Sequence, residues 1–194
     1  MSRTTRFLRE MVAHPRWTGA IIPSSRGLAR KMVELALTDA GPEAVVAEYG
    51  AGTGSFTREI LERLAPGQRF FAIEVNERLA ETLRERFPTL HLHVGCASRV
   101  AEYCAAEDVD GIDAVVSGLP WAVFPDELQE SILGGTMAVL KPGGRFVTFA
   151  YLHALGMPSA RAFRKRLEGH FSEVRVSKPV WLNVPPAVCY DCVR

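Results

Sequence analysis

Val46-Ala47-Glu48-Tyr49-Gly50-Ala51-Gly52-Thr53-Gly54 is the stretch on which the reading of this 194-residue chain turns. An apolar run from Ala44 to Ala47 ends in a carboxylate, passes through three alternating glycines and enters a helix-like stretch from Ser55 to Leu64. Glycine lets a backbone turn sharply and come close to a ligand. The amides of a helix that follows then point at whatever sits in the turn. Strand, glycine turn and helix together make a ligand-binding unit, with Glu48, Gly50, Gly52 and Gly54 as its candidate residues.

Outward from this unit the pattern alternates. Apolar or β-branched runs at 44–48, 69–75, 90–94, 112–117 and 145–151 predict strands, and 171–177 with 187–193 predict a closing strand pair. Helices are predicted at 26–37, 56–64, 77–87, 98–106, 126–140 and 159–169. Continuous apolar runs are what a sheet covered on both faces requires, and strand–helix alternation implies a three-layer α/β fold with right-handed crossovers. Lys141-Pro142-Gly143-Gly144 is expected to force a turn, and Asp126 to cap the helix before it. The length suits one domain, 1–194, with N-terminal helices over 1–40 and a core over 41–194.

Composition sets bounds. Apolar residues make 47% and charged residues 23% of the chain, ordinary for a globular protein. No apolar run reaches membrane-spanning length and no signal-peptide-like segment opens the chain, so the expected compartment is the cytoplasm. The net charge of +1 conceals two basic stretches. Residues 1–31 hold seven Arg/Lys against Glu10, and residues 159–178 hold six against two acidic residues. Such asymmetry suits an anionic partner. Cys189-Tyr190-Asp191-Cys192 is a C-x-x-C with no second pair. His91 and His93 share a strand face near Cys96, but a zinc site needs more ligands at defined spacings, so no metal is expected.

Glu74 ends the second predicted strand twenty residues after Gly54, with Val75 beside it. A carboxylate there can accept from both hydroxyls of a ribose. Gly95-Cys96-Ala97 ends the third strand, Ser117-Gly118-Leu119-Pro120-Trp121 follows the fourth, and Leu140-Lys141-Pro142-Gly143-Gly144-Arg145 precedes the fifth. The first glycine run is G-x-G-x-G rather than the G-x-G-x-x-G of dinucleotide folds. Taken in order, these segments resemble class I S-adenosylmethionine (SAM) methyltransferases. The resemblance implies a Rossmann-like, mostly parallel seven-stranded sheet with an antiparallel last strand. It implies SAM as cofactor, with Glu48 organising its amino end, Gly50, Gly52 and Gly54 passing close to it, and Glu74 and Val75 at its ribose. Cys96 stands where the family usually has an acidic residue at the adenine amine, so the backbone of Cys96 or Ala97 must serve there. Ser117 completes the set.

The turn after the fourth strand resembles motif IV of amino-group methyltransferases. Ribosomal RNA adenine dimethylases read Asn-Leu-Pro-Tyr there, whereas this chain has Gly118 and Trp121 in the asparagine and aromatic positions. Its pI of 7.7 is low for an RNA binder, whose domains often exceed about 9. Three segments are similar to bacterial phospholipid N-methyltransferases: Arg6-Phe7-Leu8 through Pro23-Ser24-Ser25, Ser117 to Pro120, and Asn183-Val184-Pro185-Pro186-Ala187. That resemblance implies methyl transfer to the head-group amine of an aminolipid such as phosphatidylethanolamine or ornithine lipid. An amphipathic helix over 3–13, with Phe7, Leu8, Met11 and Val12 on one face, would hold the chain peripherally on the inner membrane face. The expected partners are thus an anionic membrane surface and an aminolipid, met through 3–31 and 159–178, where Arg161, Arg164, Lys165 and Arg166 are candidate phosphate contacts. Nucleic acid is not an expected partner. Trp121 is expected to face the cationic head group, and Tyr151 and His153 to bind the phosphate or relay a proton. Methylation of rRNA adenine or a small molecule, and SAM binding without catalysis, remain as alternatives.

Overall fold

The computed structural model describes residues 24–194. The expected helix over 3–13 and most of the basic stretch 3–31 lie outside the described residues. Among the described residues, seven strands form one sheet: β1 Val45–Tyr49, β2 Arg69–Glu74, β3 His91–Val94, β4 Ile112–Ser117, β5 Leu140–Tyr151, β6 Glu173–Val176 and β7 Ala187–Val193. Their order is β3-β2-β1-β4-β5-β7-β6. β1 through β5 pair in parallel, and β7 runs antiparallel to both β5 and β6. This is the expected sheet.

Among the described residues six α-helices surround it: α1 Arg26–Ala36, α2 Ser55–Leu61, α3 Glu77–Arg86, α4 Val100–Ala106, α5 Asp126–Val139 and α6 Pro158–His170. Side chains alternate across a strand, so β1 feeds two cores. Val46 packs with Leu28, Met32, Phe56 and Ile60 of α1 and α2. Val45, Ala47 and Tyr49 pack with Val100, Leu128, Ile132, Phe163 and Leu167 of α4, α5 and α6. All five residues of β1 are buried, as a doubly covered strand demands. The same alternation separates the C-x-x-C pair: Cys189 joins the α1 side and Cys192 the α6 side, so the two thiols cannot meet.

Three local expectations need correction. Lys141-Pro142-Gly143-Gly144 does not precede β5 as a turn. It is an irregularity inside β5, where the register with β4 jumps from Ile112↔Leu140 to Ala114↔Arg145 and Gly143 takes a φ of +75°. The last residue fills the gap in pairing: Arg194 donates to the Gly144 carbonyl and accepts from Gly143 N–H. Asp126 does not cap α5. Pro125 stands at the cap, and Asp126 and Glu127 lie in the first turn, where negative charge favours the helix dipole. The short helix expected from Ser98 begins instead as a 3-10 turn, Ala97–Arg99, before α4.

Candidate active site

Five segments leave the carboxyl edge of the parallel strands side by side: Gly50–Gly54, Val75–Asn76, Gly95–Ala97, Gly118–Pro120 and the turn after Tyr151. In open α/β sheets this edge is where ligands bind. Gly50, Gly52 and Gly54 have φ of +75°, +55° and +81°, a region that side chains rarely enter. A Cβ on Gly52 would meet nothing nearer than the Gly50 carbonyl at 3.8 Å, so space lies open above it.

Glu74 ties this turn to β2. Its Oε2 accepts from Gly52 N–H at 2.8 Å and its Oε1 from Asn76 N–H at 2.9 Å. Burial raises its pKa, while the hydrogen bonds from Asn76, Gly52 and Val75 lower it. Asn76 then caps α3, its Oδ1 accepting from Arg78 and Leu79 N–H. Nothing in the motif reading singled out Asn76, although an asparagine immediately before a charged helix is a cap signal. Val75 is half-buried beside Glu74.

Glu48 lies fully buried beneath α2. Its Oε2 accepts from Thr57 Oγ1 at 2.6 Å, while Oε1 has no partner among the described residues. Desolvation pushes its pKa up to about 8; the Thr57 hydrogen bonds oppose the shift and the charge of Glu74 adds to it. Thr57 is a second residue missed in the sequence: a hydroxyl on the first turn of α2 reaches the strand end only through the fold.

At the β3 end, Cys96 is half-buried and its sulfur accepts from Ser98 Oγ at 3.2 Å. Ala97 is buried against the α5 side of the core. His91 and His93 do share a face, and both hold Glu107, each at 2.7 Å. His93 also stacks on Tyr103 at 4.8 Å. Among the described residues no His/Cys/Asp/Glu group could hold a metal ion.

The β4 turn corrects the role expected of Trp121. Trp121 does not face the acceptor. It is 2% exposed, stacks on Phe163 at 4.9 Å and meets Phe146 edge-on at 5.8 Å. Its Nε1 donates to Ser117 Oγ at 3.0 Å. The indole is therefore an aromatic anchor between α6 and the sheet, with no open face for a cation. Ser117 is fully buried, its hydroxyl spent on Trp121 and its carbonyl accepting from Thr148 Oγ1 at 3.1 Å. It positions the turn from below. Gly118 is packed too closely for any side chain: a Cβ would lie 2.9 Å from the Gly50 carbonyl and 3.1 Å from the Phe56 ring. Leu119 covers the glycine turn from the same side, 2.7 Å from the position a Gly50 Cβ would take.

Tyr151 ends β5 half-buried, stacked on His153 at 5.8 Å and edge-on to Phe149 at 5.5 Å. Burial raises its pKa. Its hydroxyl makes no hydrogen bond among the described residues, so it stays free at the rim. On α6, the four basic candidates divide. Arg164 pairs with Glu168, and Arg166 is drawn in by Asp126 and Glu130 with 15% of its side chain exposed. Arg161 and Lys165 make no ion pair among the described residues.

Fold and site together define a SAM-dependent methyltransferase. Residues 46–144 match the family described as the methyltransferase domain, and the chain belongs to that family. It is 32% identical over 190 residues to the ornithine lipid N-methyltransferase of Singulisphaera acidiphila, spanning 96% of this chain and 93% of that protein. It is also 32% identical over 118 residues to the ribosomal RNA small subunit methyltransferase A of Thermotoga petrophila, but spans only 41% of that protein. Among solved structures, an O-methyltransferase from Bacillus cereus in complex with SAH aligns with TM-score 0.69 at 12% identity, over 100% of this chain and 92% of that one. Fibrillarin of Aeropyrum pernix, with natively bound SAM, aligns with TM-score 0.60 at 14% identity, over 84% and 75%. At these identities the structures share the fold alone. The residues present fit SAM: an open glycine turn, a carboxylate at the second strand end, and a buried carboxyl oxygen without a partner. No helix among the described residues is long and apolar enough to cross a membrane.

Proposed function

We propose that the chain transfers methyl groups to the head-group amine of a membrane aminolipid, of the ornithine lipid or phosphatidylethanolamine kind. The end-to-end similarity to an ornithine lipid N-methyltransferase carries this reading. The crowding at Gly118 supports it, because the turn has no room for the asparagine that adenine dimethylases place there. SAM, when bound, supplies an electrophilic methyl on its sulfonium. Glu74 would hold the ribose hydroxyls, the glycine turn would pass along the amino-acid portion with Glu48 beneath, and Cys96 and Ala97 would border the adenine.

The chain's remaining task is placement. An amine must arrive unprotonated and aligned, and proximity accounts for much of such a barrier reduction. A partly dehydrated rim lowers an ammonium pKa. Tyr151, with a free hydroxyl, and His153, stacked on it, are the rim groups able to relay the proton or contact the lipid phosphate. A peripheral position on the inner membrane face, with 3–31 and 159–178 toward the lipid, belongs to the same proposal.

A radiolabelled methyl-transfer assay offering ornithine lipid, phosphatidylethanolamine, ribosomal RNA and small amines tests this directly. Label in either aminolipid is expected. Label only in RNA or a small amine overturns the lipid reading, and SAM binding without label in any acceptor overturns catalysis.

A further inference from the structure

The segment between β6 and β7 is built inside out. Trp181, Leu182 and Val184 are 67%, 87% and 75% exposed, whereas Asn183 between them is 3% exposed. Asn183 is also what holds the loop: its Oδ1 accepts from Ser25 N–H at 2.9 Å and its Nδ2 donates to the Pro185 carbonyl at 2.7 Å. Val180 bridges to Ala187 at the loop's base. A pinned loop that buries its amide and presents three large apolar side chains calls for an apolar environment beyond the described residues.

The loop stands at the catalytic rim. Pro186 accepts from Leu152 N–H at 2.8 Å, and Ala187 is the register partner of Tyr151. Met157, 53% exposed, follows in the same turn region. Along the stretch of chain that carries the loop, the unpaired charge has one sign. Between residues 146 and 190 the carboxylates are Glu168 and Glu173, and these are paired with Arg164 and Arg175. Arg161, Lys165 and Lys178 are exposed and make no ion pair among the described residues.

We propose that Trp181, Leu182 and Val184 insert into an anionic phospholipid bilayer, setting the carboxyl edge of the sheet against the lipid head groups. An apolar wedge on a stretch of chain whose unpaired charges are cations matches the two layers of such a surface, acyl chains below and anionic phosphates above. Tryptophan suits the interface because its body is apolar and its N–H polar. The proposal rests on the aminolipid reading for its purpose. It means that the acceptor amine is reached without leaving the membrane.

The test uses vesicles of mixed phosphatidylglycerol and phosphatidylcholine, with the full chain and a W181S/L182S variant that leaves Asn183 in place. Partition measured by sedimentation is expected to weaken about tenfold in the variant, with its melting temperature unchanged. In a Trp17→Phe background, brominated-chain lipids are expected to quench Trp181, Trp121 being buried. Absence of vesicle binding by the unaltered chain, equal partition of the variant, or no quenching overturns the proposal. So does a variant whose only change is loss of a dimer or of contact with residues 1–23. Methylation of a water-soluble short-chain aminolipid separates the two readings. A variant that retains this activity but fails on vesicles supports docking. Loop-dependent vesicle binding by a chain that methylates no aminolipid removes the aminolipid reading and leaves docking standing.

Discussion

Glu74 and Gly52, twenty-two residues apart on neighbouring strand ends, are joined by a 2.8 Å hydrogen bond from the glycine amide to the carboxylate. The same carboxylate accepts from Asn76 N–H, so one side chain fixes both the glycine turn and the entry to α3. The site is thereby held in shape by the group proposed to hold the ribose. Glu74→Gln keeps the volume but removes the charge. Hydrogen bonds to charged groups are worth about 1.5–3 kcal/mol, so SAH affinity measured by calorimetry is expected to fall about tenfold to a hundredfold. Unchanged affinity removes Glu74 from the cofactor site.

Glu48 makes stability depend on pH. Its carboxyl is held protonated in the fold up to about pH 8, while in the unfolded chain it ionises near the ordinary value of about 4.5. Between those values the folded state binds more protons, so stability falls as pH rises from about 4.5 to about 8 and levels off beyond. Glu48→Gln is expected to flatten this decline in thermal melts without ligand. An equal slope in both proteins contradicts the assignment.

Trp121 and Ser117 are expected to act on stability. Trp121→Ala leaves a hole among Phe124, Phe146 and Phe163, at about 3–5 kcal/mol. Ser117→Ala strands a buried indole N–H, at about 1–3 kcal/mol. Denaturant unfolding of both variants measures this. A Trp121→Ala protein of full stability but poor amine binding would restore the head-group role.

Arg145 links β5 to β7 and to the end of α1. Its Nη1 donates to both oxygens of Asp191, at 3.0 and 2.9 Å, and its Nη2 to Asp39. Asp191 is 4% exposed. Asp191→Ala leaves the guanidinium short of its buried partner, and a loss of about 3 kcal/mol is expected in chemical denaturation.

Tyr151→Phe tests the rim. If its hydroxyl relays the proton or holds the phosphate, kcat falls about tenfold or more with SAM affinity unchanged. Equal turnover assigns the ring to packing against Phe149 and His153 alone.

The sheet was legible because its strands are short apolar runs broken by glycine and proline, and β1, buried on both faces, shows no alternation to mislead. The place of Glu74 at the end of β2 was legible by its distance from Gly54. What escaped reading is non-local. Phe163, forty-two residues beyond Trp121, buries the indole, and no pattern near Pro120-Trp121 announces it. Arg166 meets Glu130 across two helices, which turns a supposed lipid contact into a tie between α5 and α6. Thr57 reaches Glu48 only because α2 folds back over β1. The irregularity at Lys141–Gly144 looked like a turn because proline and two glycines break strands; pairing with Arg194 at the far end of the chain keeps it in the sheet.

The closeness of Gly118 to the Gly50 carbonyl has an evolutionary consequence. The turn after β4 and the glycine turn after β1 touch each other through their backbones, so neither can drift alone. A single replacement at 118 would jam the turn before it offered any new recognition, and Phe56 would have to shrink or the first turn open in the same step. What bars an asparagine at 118 is thus a steric valley rather than a missing side chain, and a route to that turn must cross it at two sites at once.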